Sequence, residues 1–191
     1  MNDSLYADKP AVIAAIDAAS AAADFRQPSD DLSGAFLRTL AAGKPGGRLL
    51  ELGTGAGRAT AWMLAGMNET ATLLSVELDE SLYGIARSVL ADSRLTLVCD
   101  RGEDVIDTLI PASFDLVFAD TWPGKYHHLS ETLALVKPGG FYVVDDMLPQ
   151  PNWPDGHAEK VAGLIQTLEQ DTRFHLVKLS WASGLMLLAR R

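Results

Sequence analysis

Residues 49–58, Leu49-Leu50-Glu51-Leu52-Gly53-Thr54-Gly55-Ala56-Gly57-Arg58, constrain the fold more than any other stretch. A short apolar run enters three glycines at alternate positions, and a helix-forming segment follows. Glycine lets the backbone turn sharply and lets a ligand approach where a Cβ would clash. The helix beyond offers unpaired N–H groups and a positive dipole end to an anionic group. The next apolar run, Thr72–Glu77, ends on an acid twenty residues past Gly57. A carboxylate there can accept ribose hydroxyls, so the two features together predict a nucleoside-containing ligand.

Around that stretch the pattern alternates. Helices are expected from Pro10 to Ala23 and from Asp31 to Ala42, ahead of a first strand, Arg48–Leu52. Then follow helix Arg58–Met67, strand Thr72–Glu77, helix Glu80–Leu90, strand Leu95–Cys99, helix Glu103–Leu109, strand Phe114–Ala119, helix Tyr126–Val136 and strand Phe141–Asp145. Such alternation is the mark of an α/β fold, a parallel sheet doubly wound with helices on both faces. The pattern breaks at Asp146–His157, where Pro149, Pro151 and Pro154 surround Trp153, a loop long enough to serve as a lid or binding segment. A helix from Ala158 to Gln170 leads to strands Phe174–Ser180 and Leu185–Ala189. Only Trp181-Ala-Ser-Gly separates them, so they should pair as an antiparallel hairpin. Residues 1–45 are expected to pack as N-terminal helices on a main domain of residues 46–191, a single domain overall.

Composition narrows the partners. With 191 residues, 48% hydrophobic and 21% charged, the chain can bury a sizeable core. A net charge of −9 disfavours nucleic acid as a partner, because phosphate neutralisation needs a basic face. Cys99 is the lone cysteine, so no internal disulfide or thiolate cluster can form, and it is expected in the core at a strand end. The apolar Ala11–Ala23 run follows Asp3 and Asp8 and is interrupted by Asp17, unlike a signal peptide. No run approaches twenty apolar residues, so no membrane span and a cytoplasmic location are expected.

The glycine spacing is G-x-G-x-G, tighter than the G-x-G-x-x-G typical of pyrophosphate binding. Glu51, two residues before the first glycine, would oppose a pyrophosphate and favour a ligand carrying an ammonium or sulfonium. S-adenosylmethionine has both, with a carboxylate for the helix N-terminus. In open α/β sheets ligands lie beyond the carboxyl ends of the strands, where Glu51, Glu77, Asp100, Asp120 and Asp145-Asp146 all fall. Asp100 or Glu103 could accept from the adenine amino group, although Asp100 could equally cap the following helix. His127 and His128 read as surface or helix-packing residues. His157, after the Pro-rich loop, is a candidate general base with a suitable unperturbed pKa.

Leu49-Leu-Glu-Leu-Gly-Thr-Gly-Ala-Gly57, Val76-Glu77, Phe114-Asp-Leu-Val-Phe-Ala-Asp120 and Val136-Lys-Pro-Gly-Gly-Phe-Tyr-Val-Val-Asp-Asp146 resemble class I S-adenosylmethionine-dependent methyltransferases, most of all the small O-methyltransferases of the catechol and caffeoyl-CoA type. The resemblance covers residues 30–190 and implies a Rossmann-like seven-stranded sheet whose final strand is antiparallel. It implies that Gly53, Thr54, Gly55 and Gly57 hold the methionine end and Glu77, with Leu78 after it, the ribose. Gly102 joins Asp100 and Glu103 on the adenine side. Asp120-Thr-Trp122 matches the Asp-x-Trp of the catechol enzymes, placing Trp122 beside the adenine. A divalent cation, Mg²⁺, would be bound by Asp120, Asp145 and Asp146, where it would lower the acceptor's pKa and orient it.

Departures from the family pattern mark the acceptor end. Asp146 stands where the family has Asn. Pro123 stands at the catalytic lysine position, and Lys125, two places on, is expected to project elsewhere. Ala59 replaces a serine, leaving Thr60 or bare helix amides for the methionine carboxylate. Two adjacent acids can reach one ion only if the strand ends at them. Asp120, Asp145 and His157 are the catalytic candidates. The expected activity is methylation of an oxygen on a small molecule. N-methylation of a small amine, non-catalytic S-adenosylmethionine binding and a nicotinamide-dependent oxidoreductase are the alternatives. Oligomeric state, including a homo-oligomer, is left open.

Overall fold

A computed structural model describes residues 8–151 and 153–191. Asp3, and the rest of residues 1–7 of the N-terminal segment, lie outside them. The chain runs α1 (Ile13–Ala22), α2 (Asp31–Ala42), β1 (Arg48–Leu52), α3 (Arg58–Gly66), β2 (Thr72–Glu77), α4 (Glu80–Val89), β3 (Leu95–Cys99), α5 (Gly102–Thr108), β4 (Phe114–Ala119), α6 (Leu129–Leu135), β5 (Val136–Val144), α7 (His157–Gln170), β6 (Phe174–Leu179) and β7 (Leu185–Arg190). One seven-stranded sheet has the order β3-β2-β1-β4-β5-β7-β6. Its first five strands are parallel. β7 runs antiparallel to both β5 and β6, the expected hairpin.

The sheet is apolar on both faces because both are covered. Side chains alternate along each strand, so Leu49, Leu116, Phe118 and Val143 join one core with Trp62 of α3 and Leu37 of α2. Leu50, Leu52, Val117, Tyr142 and Val144 join the opposite core with Leu133, Leu164 and Leu168. The order reverses between β1 and β4, whose connections leave in opposite directions and open a crevice at the carboxyl ends of the strands.

α1 packs on α3 and α4, and α2 on α3. Arg58, at the start of α3, fastens these helices. Its guanidinium pairs with Asp17 at 2.9 Å and Asp31 at 2.8 Å and donates to the Ser29 carbonyl at 2.5 Å.

Several boundaries differ from the expectation. The sixth helix begins at Leu129 rather than Tyr126, because Gly124 and His128 take positive φ (88° and 53°) and keep residues 120–128 in a turn. β5 starts at Val136 with no intervening loop, and its pairing with β4 shifts register between Phe114 and Leu116. α1 starts at Ile13, with Pro10 in the preceding turn. Cys99 is exposed, not in the core, since β3 is an edge strand.

Candidate active site

The loop after β1 is built as its glycines require. Gly53, Gly55 and Gly57 have φ of 96°, 54° and 96°, a region open to glycine and strained for other residues. A Cβ on Gly53 would stand 2.9 Å from the Asp120 carbonyl oxygen, so this glycine lets the loops after β1 and β4 meet. The N–H groups of Gly53 and Thr54 both donate to the Val76 carbonyl. Glu77, at the end of β2, accepts from the N–H of Gly55 at 2.7 Å and from those of Leu78 and Asp79 at 2.9 Å each. An ionised carboxylate offers about four lone-pair sites, so three backbone donors fix its orientation and leave acceptor capacity for a ligand hydroxyl.

Glu51 is placed otherwise than expected. On β1 it shares the face of Leu49, so it points beneath α3 and is fully buried. Its Oε2 accepts from the hydroxyls of Thr60, at 2.6 Å, and Ser75, while Oε1 has no hydrogen-bond partner among the described residues. Burial raises its pKa to about 8, against the two hydroxyl hydrogen bonds. Thr60, also fully buried, gives its hydroxyl to Glu51 and not to a ligand.

A cavity of about 760 Å³ lies over the switch between β1 and β4. Gly53, Thr54, Gly55, Glu77, Asp120, Trp122, Asp145, Asp146 and His157 all line it. So do Arg58, Phe25 and residues 27–30, from the segment between α1 and α2. Asp145 and Asp146 sit just past the end of β5, so the strand does terminate where both must turn inward. Asp145 is buried and its Oδ1 accepts from the Ser183 hydroxyl and, at 2.7 Å, from the Asp146 N–H. Burial drives the Asp120 carboxyl upward in pKa, with the Lys125 ammonium opposing and Asp145 and Asp146 reinforcing the rise.

Lys125 does not project elsewhere. Its side chain is 4% exposed, and its Nζ lies 3.4 Å from Asp120 Oδ1 and 4.0 Å from Asp146 Oδ2. Burial disfavours its charge, yet the carboxylates of Asp120, Asp146 and Asp145 outweigh this and raise its pKa. An ammonium therefore stands between Asp120 and Asp146, within the electrostatic reach of Asp145. No cluster of histidine, cysteine and acidic side chains among the described residues could hold a metal ion. The Mg²⁺ site implied by the resemblance does not fit these residues.

The cavity's other wall is aromatic. Trp122 meets Tyr126 edge to face with ring centroids 5.7 Å apart, and Tyr126 meets His157 likewise at 5.5 Å. Trp153 lies 4.8 Å from His157. The Tyr126 hydroxyl is 3.2 Å from His157 Nε2, and His157 Nδ1 is buried without a partner among the described residues.

A family model described as a methyltransferase domain matches residues 50–147, about half of the chain. The chain belongs to this methyltransferase family. A protein of Mycolicibacterium vanbaalenii, provisionally named an O-methyltransferase, is 29% identical over 168 residues, 82% of this chain and 74% of its own. A Mycobacterium tuberculosis relative, also provisionally named an O-methyltransferase, is 34% identical over 117 residues, and the match spans only 52% of that protein against 58% of this chain. The O-methyltransferase TomG of Streptomyces achromogenes, solved in complex with SAM, superposes with a TM-score of 0.83 at 23% identity, over 98% of this chain and 93% of that one.

Some expected site residues stand apart from the methyltransferase's cavity. Leu78 is 66% exposed. Asp100 accepts from the Arg101 N–H, and Glu103 pairs with Arg101. Gly102 is buried, where a Cβ would stand 2.9 Å from Pro123, so its role is packing. Gly57 lies under Leu90, and its Cβ would come within 2.6 Å of that side chain. Lys125 and Tyr126 are among the cavity residues that sequence reasoning missed. Their signal was Pro123-Gly124, a turn that folds the chain back toward Asp120.

Proposed function

We propose that this methyltransferase moves the methyl group of S-adenosylmethionine to an oxygen of a small aromatic molecule, in the cytoplasm, with residues 1–45 part of the same domain. The observation that carries the reading is Glu77, locked by three backbone N–H groups and facing the same cavity as Asp120 and the aromatic wall. Glu77 is suited to the ribose of the donor, and Gly53, Thr54 and Gly55 to its methionine end. The acidic lining suits a ligand with an ammonium and a sulfonium, a role that falls to Asp120, Asp145 and Asp146 since Glu51 is turned away.

Bound there, S-adenosylmethionine supplies an electrophilic methyl on a positively charged sulfur. The protein's part is positioning and proton removal. Trp122, which the resemblance would put beside the adenine, is assigned to the acceptor with Trp153, because it meets Tyr126 edge to face in the wall that reaches His157. Asp120, on the cavity wall, takes the proton from the acceptor hydroxyl. Gln150, Trp153 and Pro154, from the Pro-rich segment after β5, add to the cavity wall beside His157.

Calorimetry with S-adenosylhomocysteine and with NAD separates this reading from an oxidoreductase. S-adenosylhomocysteine is expected to bind and NAD is not; the reverse result would sink the assignment. Transfer of an isotopically labelled methyl to catechol then tests the acceptor class.

A further inference from the structure

We propose that Lys125 supplies, from the polypeptide itself, the positive charge that a divalent cation would supply between Asp120, Asp145 and Asp146, and that it holds the acceptor oxygen. The inference deepens the methyl-transfer reading above, on which the acceptor role rests; the exclusion of metal does not depend on it.

Three features place the charge there. The Lys125 side chain is buried and lines the cavity, with its Nζ 3.4 Å from Asp120 and 4.0 Å from Asp146. An ammonium has three donors, and the distance to Asp146 is beyond hydrogen-bond reach, so donors remain for an oxygen entering the cavity. The acids, for their part, are already engaged. Asp145 Oδ1 takes hydrogen bonds from Ser183 and from the Asp146 N–H, and Asp120 faces Lys125 through one oxygen and the Ser29 hydroxyl through the other. A divalent cation at their centre would stand beside a buried ammonium, and like charges at that separation repel.

The position of Lys125 is also built. Gly124 takes φ 88°, its N–H donates to the His127 carbonyl at 2.8 Å, and its carbonyl accepts from the buried Tyr142 hydroxyl at 2.6 Å. Lys125 and Tyr126 both donate their N–H to the Trp122 carbonyl. The turn is therefore anchored to β5 and directs the lysine back over Asp120. With the ammonium in place, the acceptor oxygen is bound as a hydrogen-bond acceptor, and its negative charge is favoured as the proton leaves for Asp120.

The test is a titration of the full chain with Mn²⁺, read by electron paramagnetic resonance and calorimetry. The wild type is expected to take up no stoichiometric ion. Lys125→Met, which keeps the length and removes the charge, should acquire one Mn²⁺ at least tenfold more tightly than any residual wild-type binding. Lys125→Arg, which keeps the charge, should exclude it as the wild type does. Labelled methyl transfer to catechol by the wild type should be unaffected by chelator and fall at least a hundredfold in Lys125→Met. Stoichiometric Mn²⁺ on the wild type overturns the proposal, and so does a folded Lys125→Met that takes up none. The wild-type titration decides the metal question even if the variant fails to fold. Failure of S-adenosylhomocysteine binding would instead count against the methyl-transfer reading and leave the Mn²⁺ outcomes intact.

Discussion

The hydroxyl of Tyr142, fully buried in β5, donates to the carbonyl of Gly124 at 2.6 Å, so the sheet's core holds the turn that presents Lys125. Gly124 has φ 88°, and a Cβ there would stand 2.6 Å from the buried Leu52 side chain. Gly124→Ala should therefore lower stability by about 2 kcal/mol through strain and overpacking. Catechol methylation should fall more than tenfold while S-adenosylhomocysteine affinity stays within twofold. Thermal unfolding, calorimetry and a transfer assay check the three parts.

Glu77 makes the donor prediction. Removing its carboxylate deletes the acceptor for three backbone N–H groups as well as the proposed ribose contact. Glu77→Ala should weaken S-adenosylhomocysteine by about 10- to 100-fold, the range expected for a hydrogen bond to a charged group. Calorimetry gives the number, and unchanged affinity would remove Glu77 from the donor site.

Glu51 predicts a pH dependence of stability. Its pKa is raised from 4.5 in the unfolded chain to about 8, so the folded state binds the extra proton between those values. The stabilising contribution is complete below about pH 4.5 and is lost as pH rises through 8, at up to about 1.4 kcal/mol per pH unit. Glu51→Gln has no proton to lose. Urea unfolding from pH 5 to 8 should show the wild type losing stability relative to the variant, and a constant difference would refute this.

Trp122 is 47% exposed, and the Lys160 ammonium lies 4.0 Å from its ring centroid. Trp122→Ala should cost little stability, because the ring is not in the core. It should raise the KM for an aromatic acceptor about tenfold and leave donor affinity unchanged. Steady-state kinetics with catechol, beside calorimetry, reads both.

The sheet was legible because each of its strands is an apolar run closed by an acid, a glycine turn or a short hairpin, signals local in sequence. The turn after β1 was legible for the same reason: Gly53 and Gly55 take the left-handed φ values that their residue type announces. Glu51 misled because its distance from the glycines was read without the alternation of β1. That alternation puts it with Leu49 under α3. Lys125 was misplaced because counting from Asp120 assumes regular progress along the chain. Gly124, left-handed and just ahead of Lys125, bends that path. The wall made by Phe25 and residues 27–30 was invisible, since only tertiary packing brings it to the cavity.

Arg58 joins Asp17, Asp31 and the Ser29 carbonyl to the first turn of α3. The wall it secures lies ahead of residue 50, where the family match begins. One guanidinium thus ties the cavity wall supplied by the segment between α1 and α2 to the helix that follows the glycine loop. An N-terminal segment from another methyltransferase would need counterparts of Asp17 and Asp31 to seat on Arg58 and close that side of the cavity.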